Sequence, residues 1–208
     1  MNKFNKINVL GYDALAESYD YVYGQTKDQE QFQSLKWLNS NLKNGARILD
    51  VGSGTGRVAR FLSKKFQVIG IDNSNQMIKI SRQTAPKAEF IEMNVKKIKF
   101  DEQIKFEAIV SFFTFLHVEK SIFERVLSNT LNYLNKGGYL IISMLEGNYD
   151  KDAYLMDKKF HFSAYNEEDL IKIFKKFNLN ILKVKKQNFK PKYKNAEIEH
   201  QIFIYCQK

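Results

Sequence analysis

Three glycines stand at alternate positions, Gly52, Gly54 and Gly56, directly behind the apolar run Ile48-Leu-Asp-Val51. Glycine lets a backbone turn sharply and come close to a ligand. Asp50 lies at the mouth of that turn, and Ser53 and Thr55 fill the positions between the glycines. A second carboxylate, Asp72, closes the next apolar run, twenty-two residues after Asp50. An acid in that place can accept both hydroxyls of a ribose. The glycine spacing differs from the G-x-G-x-x-G of dinucleotide binders, and Asp50 would repel a pyrophosphate. Arg57 follows Gly56 directly, so the lysine of a phosphate-binding P-loop is missing. These features exclude an NAD oxidoreductase. They suit a nucleoside ligand that carries ammonium and sulfonium cations.

The elements that must hold these residues alternate in type. Residues 47–51, 67–72, 88–93, 106–112 and 139–144 are short Ile/Val/Leu-rich runs, as expected of strands buried on both faces of a parallel sheet. Helical patterns follow at 55–65, 74–84 (capped by Ser74, with Pro86 beyond its end), 120–134 and 166–177. Two more helices, 11–23 and 30–42, precede the first strand. Alternation of this kind predicts an α/β sheet with right-handed crossovers. Residues 180–186 and 200–206 are strand-like with no helix between them, so the sheet should end in an antiparallel pair, with 187–199 as a loop. The turn before the fifth strand is placed at Gly137–Gly138.

The chain of 208 residues, 44% of them apolar, can build one domain with its own core. We divide it into lid helices (1–45), a ligand-binding core (46–145) and a segment of acceptor pocket and terminal strands (146–208). The N-terminus has no long apolar run, and no stretch matches a membrane span. One cysteine, Cys206, cannot form an internal disulfide, which fits a cytoplasmic location. The net charge of +10 is either a surface of solvated lysines or the footprint of a polyanion such as RNA.

With these motifs in place the sequence resembles the class I S-adenosylmethionine-dependent methyltransferases over nearly its whole length. Leu49-Asp-Val-Gly-Ser-Gly-Thr-Gly56 is similar to the family's first motif, and Gly70-Ile-Asp-Asn-Ser-Asn-Gln-Met77 to its second. Residues 106–118 resemble the fourth-strand motif, and residues 134–143 the turn and fifth strand. Tyr12-Asp-Ala-Leu-Ala-Glu-Ser-Tyr-Asp20 resembles an N-terminal helix that covers the cofactor in small-molecule members. The resemblance implies a Rossmann-like, doubly wound, seven-stranded sheet, mostly parallel with an antiparallel last strand and helices on both faces. It assigns Asp50, Gly52, Ser53, Gly54 and Gly56 to the methionine end of the cofactor, and Asp72 with Asn73 to the ribose. Met77 would pack on adenine, and Ser111 and Phe112 would form the floor. Asn94-Val95 falls where the family usually has an acid for the adenine amine. An asparagine can accept only through its carbonyl oxygen.

Methyl transfer from a sulfonium is an in-line displacement, so alignment and a dry site do most of the work. An amine acceptor needs no strong base, whereas a hydroxyl benefits from one. His117, just past the fourth strand, is the leading base candidate; the alternative is a histidine packed at the strand–helix junction. His161, in an expected pocket loop, and His200 are weaker candidates. Tyr12 and Tyr19 are seven apart and share a helix face. They could cover the cofactor or touch the acceptor, with Tyr19 the second catalytic candidate. The acceptor pocket is placed among Phe113, His117, Tyr149, Phe160, Phe162 and Tyr193. Aromatic rings beside lysines suit a planar or acidic small molecule.

The leading expectation is therefore N- or O-methylation of a small molecule by a monomer or homodimer. An RNA (tRNA or rRNA) methyltransferase is the second reading, although residues 111–114, Ser-Phe-Phe-Thr, lack the tetrapeptide of base amino-group methylation. The third is a non-catalytic S-adenosylmethionine-binding subunit. No acid cluster with ligand spacing follows the fourth strand, so no metal is expected.

Overall fold

Side chains alternate between the two faces of a strand, so each apolar run must be covered twice. The computed structural model, which describes residues 3–24 and 29–208, covers them with helices on both sides. The order is α1 (Lys3–Tyr19), a π-helical turn (Asp20–Gly24), α2 (Gln29–Asn41), β1 (Arg47–Val51), α3 (Arg57–Leu62), β2 (Gln67–Asp72), α4 (Asn75–Thr84) and β3 (Glu89–Glu92). Then come β4 (Phe106–Phe112), α5 (Lys120–Leu131), β5 (Leu134–Leu145), β6 (Tyr149–Leu155), β7 (Lys158–Ala164), α6 (Glu167–Lys176), β8 (Asn180–Phe189) and β9 (Glu199–Gln207).

Seven strands form one sheet in the order β3-β2-β1-β4-β5-β9-β8. The pairs among β1 to β5 are parallel, and β9 runs antiparallel to both β5 and β8. The strand order therefore reverses between β1 and β4, the place where open α/β sheets leave a crevice at the strands' carboxyl ends. Ile48 of β1 and Ala108 and Val110 of β4 pack with Leu38, Leu62 and Ile78 from α2, α3 and α4. Leu49, Val51 and Ile109 pack on the other face with Phe123, Leu127 and Phe174 from α5 and α6. Each large apolar side chain buried this way contributes about 1.5–3 kcal/mol. The core can therefore carry a few poorly satisfied polar groups at the crevice. No helix among the described residues is long and apolar enough to cross a membrane.

Several boundaries differ from the sequence expectation, each for a local reason. Helix α1 begins at Lys3 rather than near residue 11. Helix α3 starts only at Arg57, because Gly56 takes a left-handed conformation (φ 84°) that no α-helix continues. Helix α5 ends at Leu131, and Leu134 already belongs to β5. The Gly137–Gly138 turn proves to be an irregularity inside β5, held by Lys208 N–H donating to the Gly138 carbonyl. The largest difference is in residues 149–164 of the acceptor-pocket segment, where His161 is expected in a loop. They form the β6–β7 hairpin, closed by Met156 and Asp157, both at positive φ (50° and 62°). That is the twist a two-residue hairpin turn requires, here without the Asn-Gly signal that usually announces it. Ser74 does cap α4, its hydroxyl accepting from Met77 N–H, and Asn166 caps α6.

Candidate functional site

Strand β1 delivers Asp50 to the crevice. The side chain is 1% exposed, and its Oδ2 has no hydrogen-bond partner among the described residues. Burial, reinforced by the charge of Asp72, pushes its carboxyl up to about 8. The hydroxyls of Ser53 and Ser111 are likewise buried without a partner. Leaving such groups unpaired costs about 1–3 kcal/mol each, and Asp50 and Ser53, which also border a cavity, mark a place built for a polar ligand.

The glycine loop has no room for side chains at its critical point. A Cβ on Gly52 would fall 1.9 Å from Thr114 Oγ1, and the residue already sits at φ 75°. Gly54 faces open space, with nothing within 4 Å of its missing Cβ. Gly56 serves another purpose: its missing side chain lets α3 approach Ser81 of α4, and it lines neither of the two cavities at the crevice.

Asp72 ends β2 with both oxygens oriented by backbone. Oδ2 accepts from Gly54 N–H at 2.9 Å and Oδ1 from Ser74 N–H at 2.9 Å. Burial raises this carboxyl and these bonds oppose the rise. Each carboxylate oxygen keeps a second lone pair for a ligand hydroxyl. Asn73 accepts from Val95 N–H at 2.8 Å and so holds the following loop. Asn94 caps its own short turn, accepting from Lys96 N–H at 2.9 Å, and lines neither cavity. The carbonyl oxygen expected to meet adenine is thus used by backbone, and only Val95 reaches the site.

Two adjoining cavities open here. A small one, about 80 Å³, is bounded by Asp72, Asn73, Met77, Val95, Lys96 and His117. A large one, about 950 Å³, lies under Tyr149, Phe162, Phe189 and Tyr193 and includes Asp50 and Ser53. Tyr12, Tyr19, Gly52, Gly54, Phe112 and Phe113 line both. Phe113 stands at the junction with φ 57°, a strained conformation for a bulky residue. Ser111 lies behind this wall, outside both cavities. Phe160 is also behind it: fully buried, with its ring against Gly11 and Tyr12, it supports α1 rather than facing an acceptor.

Helix α1 is tied down over the junction. Asp13 accepts from the Ser74 hydroxyl at 2.5 Å. Asp20 accepts from Thr55 at 2.7 Å and pairs with Arg57 at 3.5 Å. Asn8 accepts from His161 N–H at 2.8 Å. None of these three side chains was singled out in the sequence, because their partners lie tens of residues away. The same is true of the buried Lys96–Glu119 pair, 2.6 Å apart, whose lysine borders the small cavity.

His117 has both ring nitrogens engaged, Nε2 with the Tyr12 hydroxyl at 2.6 Å and Nδ1 with the His161 carbonyl at 2.7 Å. Burial lowers its pKa to about 4, so the ring is neutral at pH 7. His161 lies on strand β7 rather than in a loop, with Nε2 2.8 Å from Asp150 and Nδ1 3.2 Å from Asp152. His200 is near the start of β9 and meets Asn188 at 2.8 Å. Tyr12, Tyr19, Tyr23 and Phe189 form a row of rings with centroids 5.9, 5.0 and 6.2 Å apart. Burial pushes the Tyr19 phenol up to about 12, which keeps it protonated.

A crossover crevice with a glycine loop, an acid on each of the first two strands and a reversed last strand defines a class I methyltransferase fold. A family model described as a methyltransferase domain matches residues 25–184, and the chain belongs to that family. Putative methyltransferase 235L of Invertebrate iridescent virus 6 is 26% identical over 148 residues, covering 69% of this chain. The chain spans 55% of that relative's length. An uncharacterized methyltransferase of Alkaliphilus oremlandii is 27% identical over 192 residues, 88% of this chain and 80% of the relative. Among solved structures, a DhpI–S-adenosylhomocysteine complex superposes with a TM-score of 0.74 at 18% identity, covering 98% of this chain and 96% of its own. Magnesium protoporphyrin IX methyltransferase from Synechocystis, solved with bound S-adenosylmethionine, gives 0.67 at 15% identity, covering 100% and 86%.

Proposed function

We propose that this chain moves a methyl group from S-adenosylmethionine to a nitrogen or oxygen of a small-molecule acceptor. The observation that carries the reading is the pair of adjoining cavities, the small one bounded by Asp72, Met77 and Val95 and the large one by unsatisfied Asp50 together with the aromatic rings. In this reading Asp50 takes the ligand's ammonium, and Gly52 to Gly54 let its chain pass close to the backbone. Asp72 holds the ribose hydroxyls, and Met77 and Val95 flank adenine. The cofactor supplies the electrophilic methyl group. Phe112, Phe113 and Tyr19 shape the passage through which it is presented and keep water out. Helix α1 acts as the lid, and His117 holds Tyr12 in place rather than taking a proton from the acceptor. That solved relatives carry S-adenosylmethionine or its product supports the cofactor assignment.

Calorimetric titration with S-adenosylmethionine tests it. Binding should weaken about a hundredfold in Asp72→Ala, the scale of two lost charge-assisted hydrogen bonds. No binding to the unaltered protein, or equal binding to the variant, removes the assignment. An RNA acceptor is less favoured, because carboxylates border the acceptor chamber and oppose a polyanion.

A further inference from the structure

Away from the crevice, a further hollow of about 850 Å³ lies between helix α3, the residues that end α4 and the π-helical turn. Among the described residues it is lined by four cations, Arg57, Arg60, Lys64 and Lys87, and one carboxylate, Asp20. Asp20 is already committed to Arg57 and to Thr55. Residues 25–28, next in the chain after Gly24, hold one lysine and one aspartate and so add no net charge. Arg57, Arg60 and Lys64 follow the i, i+3, i+7 spacing of one face of α3 and the turn beyond it, and Lys87 comes from the chain after α4. Arg57 also lines the large cavity, whereas Arg60, Lys64 and Lys87 line neither cavity at the crevice.

The side chains of Arg60, Lys64 and Lys87 are exposed, and among the described residues they make no ion pair or hydrogen bond. Lys64 touches only the ring of Phe61, at 5.8 Å. Like charges held together repel, by about 0.4 kcal/mol for each pair of unit charges 10 Å apart in water, and an anion among them relieves every pair at once. Lys64 and Lys87 follow the C-terminal ends of α3 and α4, which attract cations, but each end is worth only about half a negative charge. The hollow therefore stays positive. Guanidinium forks and ammonium groups are the side chains that hold phosphate oxygens, and the hydroxyls of Ser63 and Thr84 add neutral donors. Tyr21, on the same wall, is 66% exposed and offers a flat face for stacking. Asp20 stands beside Arg57, the residue common to this hollow and the acceptor chamber, and opposes a phosphate chain running on toward the chamber. The charge thus suits a short polyphosphate better than a continuous strand.

We propose that this hollow binds a nucleotide as its di- or triphosphate, with the phosphates on Arg60, Lys64 and Lys87 and the base on Tyr21. The site is separate from the cofactor crevice and stands whether or not the chain transfers methyl groups.

Calorimetric titrations with uridine triphosphate, tripolyphosphate and inorganic phosphate test it, in about 0.1 M salt so that attraction beyond about 10 Å is screened. Uridine triphosphate should bind most tightly, and inorganic phosphate at least about tenfold more weakly than tripolyphosphate. Arg60→Gln combined with Lys87→Gln should weaken both polyphosphates at least about tenfold. Tyr21→Ala should weaken uridine triphosphate at least about fivefold and leave tripolyphosphate unchanged. Lys99→Gln combined with Lys136→Gln removes the same charge from exposed positions outside the hollow and should change neither. If the Arg60 and Lys87 variant misfolds, Lys64→Gln alone should still cost about threefold. No measurable binding of either polyphosphate, an equal loss in the two double variants, or uridine triphosphate binding no better than tripolyphosphate overturns the proposal. So does a single-stranded oligouridylate that binds more tightly than uridine triphosphate and is lost in the same variant, which would make the hollow a track for nucleic acid.

Discussion

The hydroxyl of Tyr12 and Nε2 of His117 lie 2.6 Å apart, joining the lid helix to the end of the fourth strand across 105 positions of sequence. The direction of this bond follows from the other side of the ring. Nδ1 is 2.7 Å from the His161 carbonyl, which can only accept, so the proton sits on Nδ1. Nε2 is therefore the acceptor and the Tyr12 hydroxyl the donor.

Removing that donor leaves a buried nitrogen unsatisfied. Tyr12→Phe should cost about 1–3 kcal/mol of stability in denaturant titration. It should also raise KM for the cofactor more than it lowers kcat, because the lid is loosened and no reacting atom is touched. A collapse of kcat at unchanged KM would instead put this pair in the chemistry.

His117 also makes a definite pH signature. Its folded pKa is about 4 against 6.5 for the free side chain. A depressed histidine contributes stability that is present above pH 6.5 and is lost as pH falls through 4. The loss should reach about 3 kcal/mol by pH 4, at 1.36 kcal/mol per unit. Unfolding free energies measured between pH 7 and 4.5 should fall more steeply in the unaltered protein than in His117→Asn. Parallel curves would show that the ring is not held neutral.

Asp50 has the opposite sign of dependence. Its carboxyl titrates at about 8 in the fold against 3.8 free. The contribution of such a raised acid is complete below pH 4 and is lost as pH rises through 8. Asp50→Asn should therefore be more stable than the unaltered chain at pH 8, by a few kcal/mol, with the gap shrinking toward pH 5. Thermal melts at the two pH values measure this. The same variant should lose S-adenosylmethionine binding. A gap independent of pH would mean that Asp50 is already ionised and satisfied.

Gly52 faces two penalties that can be separated. Ala at this position meets the Thr114 side chain and must adopt φ 75°. Gly52→Ala should destabilise by more than about 2 kcal/mol. Adding Thr114→Ala removes Oγ1 and Cγ2 but leaves the Cβ of residue 114 at 2.6 Å, so it should recover only part of the loss, with the backbone cost still present. Complete rescue by the second substitution would show that the left-handed conformation is not retained.

The sequence by itself determined the β-α alternation, the glycine loop, and the placement of Asp50 and Asp72 at strand ends. It also determined the caps at Ser74 and Asn166. All of these depend on interactions within a few residues, where spacing and residue type are enough. Periodicity says which face of an element is buried, but not which element will lie against it. Only the tertiary structure could therefore pair Tyr12 with His117, Asp13 with Ser74 and Lys96 with Glu119. It turned Asn94 to its own backbone, moved Phe160 behind the lid and folded residues 149–164 into a hairpin. It also gathered carboxylates around one chamber of a basic chain, because the charge of a cavity is set by which distant segments meet there and not by composition.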